Sequence, residues 1–313
     1  MLICPGEWHH EPMPERFSAA EAAATARLMW TLFEPVHVVS YFAPEPRAAF
    51  EQAGLRGYWR GYFAGRAAPL GPAAAPSVVA AFFSFAPPMV ERALPGVWDL
   101  ISPADALTVR QAGAVAALRR LLATAAVPPA ATEAAAHQLA EATAGLSAAG
   151  HVLGAANAAL PLPDDPVAKL WYAATVLREH RGDGHVAALV AADLDGQEAL
   201  ALRAGVNMAA GGALERESFG WTRERLQPIR GWTDADWDAA LARLVERGLI
   251  SPGGAATAAG TALYQQVEDA TDVAAARPWS RLTWAGAAEL AGMLRPVARA
   301  CAAALPFPSG FQE

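Results

Sequence analysis

Long alanine-rich stretches, punctuated by proline and glycine, leave this chain little choice but to be helical. Alanine is the strongest helix former. Valine and isoleucine nowhere gather into the alternating runs that a sheet requires. The expected fold is all-α: mainly helical, with β-structure confined to one short hairpin. Apolar residues make up 54% of the chain and charged residues 18%, enough apolar content to bury a large core and to argue against disorder. A length of 313 residues gives room for two ordinary domains or for one domain duplicated.

The net charge of −7 disfavours a general affinity for nucleic acid, whose phosphates need clustered cations, and leaves room only for a local basic patch. Cys4 and Cys301 sit at opposite ends and form neither a metal-type cluster nor a disulfide framework, which fits a reducing cytoplasm. The N-terminus carries acids and prolines where a signal peptide needs a basic start and an apolar core. No apolar run reaches the roughly 20 residues that span a bilayer. These features predict a cytoplasmic protein without a membrane partner.

Ser18 followed by Glu21 reads as a capping box opening the first helix, which Pro35 should bend or restart. A second helix runs over 47–53 to Gly54, followed by LRGYWRGYFAGRAAPLG, an apolar block at 78–85 and an amphipathic helix at 104–124. Pro128 and Pro129 close the first half. The second half reads as a helix over 133–159, a break at PLPDDP, a helix over 167–180, the polar segment REHRGDGH as a turn, and helices over 186–192 and 198–208. This divides the chain into an N-terminal helical domain, 18–127, and a C-terminal helical domain, 132–307. The halves resemble each other: Trp30 and Trp171, then Gly57 and Gly196, recur at offsets of 141 and 139 residues. Two explanations stand, chance likeness of alanine-rich helices or a duplication forming a pseudo-dimer with a cleft between its halves.

Within the second domain, 222–275 follows a winged-helix plan. A short helix, the turn at Gly231 and Trp232, a helix capped by Thr233, RGLI, the glycine-rich SPGGAATAAG and a last helix near Thr261 follow in that order. A reading helix in the major groove needs donors and cations at its N-terminus. Here those positions are Asp234, Asp236 and Asp238, and the wing carries no cation. DNA binding is therefore disfavoured.

REHRGDGH, 178–185, packs six ionisable residues between two apolar helices. Such charges are costly to bury unless paired or used, so the segment is either a solvated helix end or a site for a ligand or metal. Its spacing matches no metal motif. Gly182 and Gly184 would permit a tight turn bringing His180, Asp183 and His185 together with Arg178, Glu179 and Arg181. The first half offers Glu34, His37 and Tyr41 on one helical face, and Arg60, Tyr62 and Arg66 in a segment that could hold an anion against aromatic walls. His9, His10, His137 and His151 read as incidental.

The segments EPVHVVSYFAPE, LRGYWRGYFAGRAAPLG, LWYAATVLREHRGDGHVAAL and LRPVARACAAALPFP resemble an actinobacterial, MarR-like helix-turn-helix family over 18–307. The resemblance implies the fold and a cytoplasmic location, and brings no activity with it. The leading functional reading is a small-molecule-binding protein, with its site where the halves meet and an anionic or hydrogen-bond-accepting ligand. If it is an enzyme, His180, His185 and His37 would transfer protons, and Asp183 or Glu179 would orient an imidazole. Glu34, Tyr41, Arg60, Tyr62, Arg66, Arg178, Glu179 and Arg181 would bind the ligand. No nucleophile motif, phosphate loop or dinucleotide fingerprint names a reaction or cofactor. The other reading is a ligand-responsive MarR-like regulator that binds DNA as a dimer.

Overall fold

Ser18 caps the first helix with a reciprocal pair of bonds: its hydroxyl accepts from the Glu21 amide, and the Glu21 carboxylate accepts from the Ser18 amide at 2.7 Å. In the computed structural model, residues 17–211 and 221–305 are described, so Cys4, Trp8, His9, His10 and positions 306–307 of the expected second domain lie outside them. Helix α1 (Ala19–Phe42) continues through Pro35 rather than restarting there. It is followed by α2 (Pro44–Gln52), α3 (Tyr58–Ala67), α4 (Ala75–Phe82), the short α5 (Pro87–Glu91) and α6 (Pro103–Thr124). The single helix expected over 133–159 is two, α7 (Pro129–Ala142) and α8 (Val152–Ala158). Gly145 and Gly150, both at positive φ, lie in the connection that separates them.

The largest departure from expectation is α9 (Pro166–Ala191), an unbroken helix that carries REHRGDGH in its middle. The glycines are therefore helical, not turn residues. Each costs up to about 1 kcal/mol in a helix interior relative to alanine. Gly184 is there for packing: a Cβ at that position would lie 2.9 Å from the Ala274 Cβ. The chain ends with α10 (Gly196–Ala209), α11 (Arg223–Arg230), α12 (Asp234–Glu246), α13 (Ala258–Ala274) and α14 (Trp284–Ala302). The protein is mainly helical, and none of its described helices is long and apolar enough to cross a membrane. Among the described residues the expected hairpin amounts to one antiparallel bridge, Ile250–Ala256.

Three apolar cores organise these helices. The first joins α1, α6, α7, α9 and α14 around Met29, Leu118, Leu139, Trp171 and Leu294, so it draws on both sides of 128–132. The second packs α2 to α5 and the start of α6 around Phe63, Phe82 and Phe85. The third packs α10, α11, α12 and α13 around Leu202, Leu226, Trp237 and Leu244. Helices α11 and α12 meet through a three-residue turn opened by Gly231 in the left-handed region, φ 78°, and α12 is capped by Thr233 with Asp236.

The turn is docked on the first half. The Arg230 carbonyl accepts from the Ala86 amide at 2.8 Å, Trp232 Nε1 donates to the Ser84 carbonyl at 3.0 Å, and Trp232 packs into both the second and third cores. Close by, the Phe83 carbonyl would sit 2.2 Å from any Cβ at position 196, so only glycine fits at the start of α10. Cys301 is buried on α14.

Candidate functional site

In a helix each residue turns about 100° from the last, so the ionisable residues of the central α9 segment cannot converge on one point. They separate onto three faces. His180 and Asp183 face α8, Arg181 and His185 face α13, and Arg178 and Glu179 face α1 and α3. The single enclosed pocket expected of His180, Asp183 and His185 with His37 and Arg60 is not formed, because the segment is helix. Arg60 is exposed on α3, outside the polar cluster.

Glu179 is the centre of the third face. Arg66, one turn after Tyr62 on α3, grips it in a bidentate fork, Nε to Oε1 and Nη2 to Oε2, both 3.1 Å. Arg178 Nη1 donates to Oε2 at 3.0 Å, and the Tyr41 hydroxyl donates to Oε1 at 3.3 Å. Burial opposes the Glu179 charge, but Arg66 and Arg178 outweigh it and hold the carboxyl well below its usual range. Glu34 accepts from Trp30 Nε1 at 3.2 Å and lies 3.7 Å from Arg178 Nε; burial nevertheless raises its pKa. His37, buried and in contact with Thr175 Oγ1 at 3.0 Å, is pushed well below its ordinary pKa by burial and then by Arg178, so it is neutral at pH 7. Burial raises the Tyr41 hydroxyl well above 10, so it is protonated.

Of the twelve residues expected in the site, seven therefore come together: Glu34, His37, Tyr41, Tyr62, Arg66, Arg178 and Glu179. Arg110 on α6 joins them and was missed, though its signal is plain in retrospect: it occupies a core position, one turn from the buried Ala106 and Ala114. It donates Nη2 to Asn157 at 3.1 Å and lies over the Trp171 ring at 5.1 Å. Among the described residues no carboxylate meets it. Burial lowers its pKa to about 10, and its Nε, like His37 Nε2, is buried without a hydrogen-bond partner. A cleft of about 20 Å³ opens here, lined by Tyr41, Phe50, Tyr58, Tyr62, Arg66 and Arg110, and reaches the surface beside exposed Arg47.

The other faces of α9 carry their own partners, although His180 Nε2 is buried without a hydrogen-bond partner among the described residues. Arg181 and Arg27 pair with Asp272 at 2.7 and 2.8 Å, and Arg27 pairs with Glu268 at 2.6 Å. The Thr271 hydroxyl donates to the Val267 carbonyl, so it accepts from His185 Nδ1 at 2.9 Å, which fixes the His185 tautomer. Burial lowers the His185 pKa. On the α8 face the His180 ring stacks on His151 at 3.7 Å, an arrangement that gives His151 a structural partner. Burial and then His151 lower the His180 pKa to about 4. Asp183 accepts from the Gly154 amide at 2.8 Å, yet burial raises its pKa to about 6. Among the described residues, no three His, Cys, Asp or Glu side chains are grouped to hold a metal.

The three aspartates of α12 are also spent locally. Asp236 caps its own helix, Asp234 and Asp238 clamp Arg223 at 3.1 and 2.7 Å, and Arg243 and Arg247 turn to Asp195 and Glu198. Its exposed face carries Asp234, Ala235, Asp238, Ala239 and Ala242. A family model described as a helix-turn-helix family matches residues 26–308. No curated protein and no solved structure matches the chain.

Proposed function

The chain belongs to the helix-turn-helix family, and from that premise we propose that it is a cytoplasmic, small-anion-binding member in which the helix-turn-helix serves as a packing unit. The observation that carries this reading is the charge imbalance beside the cleft: among the described residues, Arg66, Arg110 and Arg178 face only Glu34 and Glu179. A buried guanidinium without a counter-ion is costly, and a carboxylate or phosphate group entering beside Arg110 would supply one. Tyr41, Tyr58 and Tyr62 give the cleft aromatic walls. Binding is favoured over histidine catalysis because His180, stacked on His151, and His185, bonded to Thr271, both face away from the cleft.

The MarR-like, winged-helix interpretation rests on the succession α10, α11, α12, bridge and α13. Duplication draws support from Gly57 and Gly196, which each stand at the start of a helix, and from the matched caps Ser102–Asp105 and Thr233–Asp236. A DNA-binding regulator is the second reading, favoured by family membership and opposed by the acidic, alanine-rich face of α12. Calorimetric titration of the full chain with inorganic phosphate and with succinate tests the first, and a gel shift on its own upstream DNA at low salt tests the second. Heat of binding with no shifted DNA is expected. A salt-sensitive shift without anion binding would reverse the choice.

A further inference from the structure

Arg110 reaches the cleft from α6, and among the described residues its one hydrogen bond goes to α8: Nη2 donates to Asn157 Oδ1 at 3.1 Å. The Asn157 amide is locked in that direction, because its Nδ2 donates to the Leu153 carbonyl at 2.9 Å and so keeps Oδ1 toward Arg110. Asn157 is 2% exposed and stands behind Arg110, outside the lining of the cleft. Its helix is tied to α9 at both ends. At the start, Asp183 accepts from the Gly154 amide at 2.8 Å, and His151 Nδ1 donates to the His180 carbonyl at 3.0 Å. The two helices touch there at backbone distance, since a Cβ at Gly154 would lie 2.7 Å from the His180 Cα. At the end, the Tyr172 hydroxyl reaches the Ala158 and Leu160 carbonyls at 3.1 and 3.2 Å. Asn157 lies between these ties and holds a fixed place.

We propose that Asn157 is a positioning residue of the anion site: it aims the Arg110 guanidinium and leaves its charge for the ligand. This rests on the anion-binding reading above. An aspartate would fit the same space and present the same acceptor, but it would complete an ion pair and place a negative charge behind the cleft. The amide supplies the oxygen without the charge. A hydrogen bond satisfies one N–H of Arg110, whereas only a counter-ion offsets the cost of burying its charge. With asparagine at 157, that counter-ion has to come through the cleft, which Arg110 lines together with Tyr41, Tyr62 and Arg66. Arg110 Nε is buried without a partner among the described residues, so the guanidinium still has a donor to offer.

Calorimetric titration of the full chain with inorganic phosphate, set beside melting temperatures measured without it, tests the assignment on two variants. Asn157→Asp keeps the acceptor and pairs the Arg110 charge, so it should melt above Asn157→Ala, which loses both bonds. Binding should run in the opposite order. Asn157→Asp should weaken phosphate binding by about a hundredfold and Asn157→Ala by about tenfold, the factors that correspond to losing a charge-assisted and a neutral hydrogen bond. A merely structural Asn157 would make affinity follow stability, with alanine the worse of the two. That order, or wild-type affinity in either variant, would overturn the assignment and spare the anion site. Absence of phosphate and succinate binding in the wild type removes the anion-site reading itself, and this assignment with it.

Discussion

Two charge clusters lie on different faces of α9, and they are balanced differently. Toward α13, Arg27 and Arg181 meet Glu268 and Asp272, one carboxylate for each guanidinium. Toward α1, α3 and α6, Arg66, Arg110 and Arg178 share Glu34 and Glu179. The first cluster is complete, so it can hold helices together and needs nothing further. Among the described residues, the second leaves a buried arginine without a counter-ion and buried nitrogens on Arg110 and His37 without partners. Charge density alone would rank the two alike; the balance separates a structural network from a candidate binding site.

The comparison is tested most severely at Glu179. Glu179→Gln strips Arg66 and Arg178 of their shared carboxylate and should cost about 3–5 kcal/mol, measured by urea unfolding. Phosphate should restore more stability to this variant than it adds to the wild type. If phosphate stabilises the two equally, the anion is not acting at this cluster.

A paired substitution sharpens the contrast. Arg181→Met breaks the balanced cluster and should cost about 3 kcal/mol, whereas Arg110→Met removes a cation that no carboxylate meets and should change stability by less than about 1 kcal/mol. Arg110→Met should also abolish the thermal shift produced by phosphate. Equal losses of stability in the two variants would erase the distinction between the clusters.

The smallest expected effect lies on the α8 face of α9, where two titrations oppose each other. His180 has a folded pKa of about 4 against an ordinary 6.5, so its contribution is present above pH 6.5 and lost as pH falls toward 4. Asp183, raised to about 6 from 3.8, has the reverse sign: its protonated form suits the fold, and its contribution is lost as pH rises from 3.8 through 6. In the wild type these slopes offset each other. His180→Phe keeps a flat ring against His151 and removes one of them, so between pH 6 and 4 the variant should gain about 1–2 kcal/mol relative to wild type, after allowing for solvent screening. Melting curves over that range that run parallel for the two proteins would show that His180 is not held neutral by the fold.

Local signals in the sequence determined the helical class, the capping box at Ser18, the cap at Thr233, the extent of α6 and the turn at Gly231. Each depends on residues within a turn or two of one another: alanine propensity, a hydroxyl three residues before an acid, or a glycine free to take positive φ. The candidate site was legible only in part, through Glu34, His37 and Tyr41 on one face and Tyr62 and Arg66 on another. Tertiary packing decided the rest. Glycine is compatible with a turn and with a crowded helix, and at position 184 the choice was made by Ala274, 90 residues away along the chain. Once REHRGDGH became helix, its side chains spread around the axis, and the partner of each was set by whichever of α3, α8 or α13 packed there. Arg110 shows the limit most clearly: a sequence can place an arginine in a core register, but only the arrival of α3 and α9 beside α6 decides whether a carboxylate comes with them.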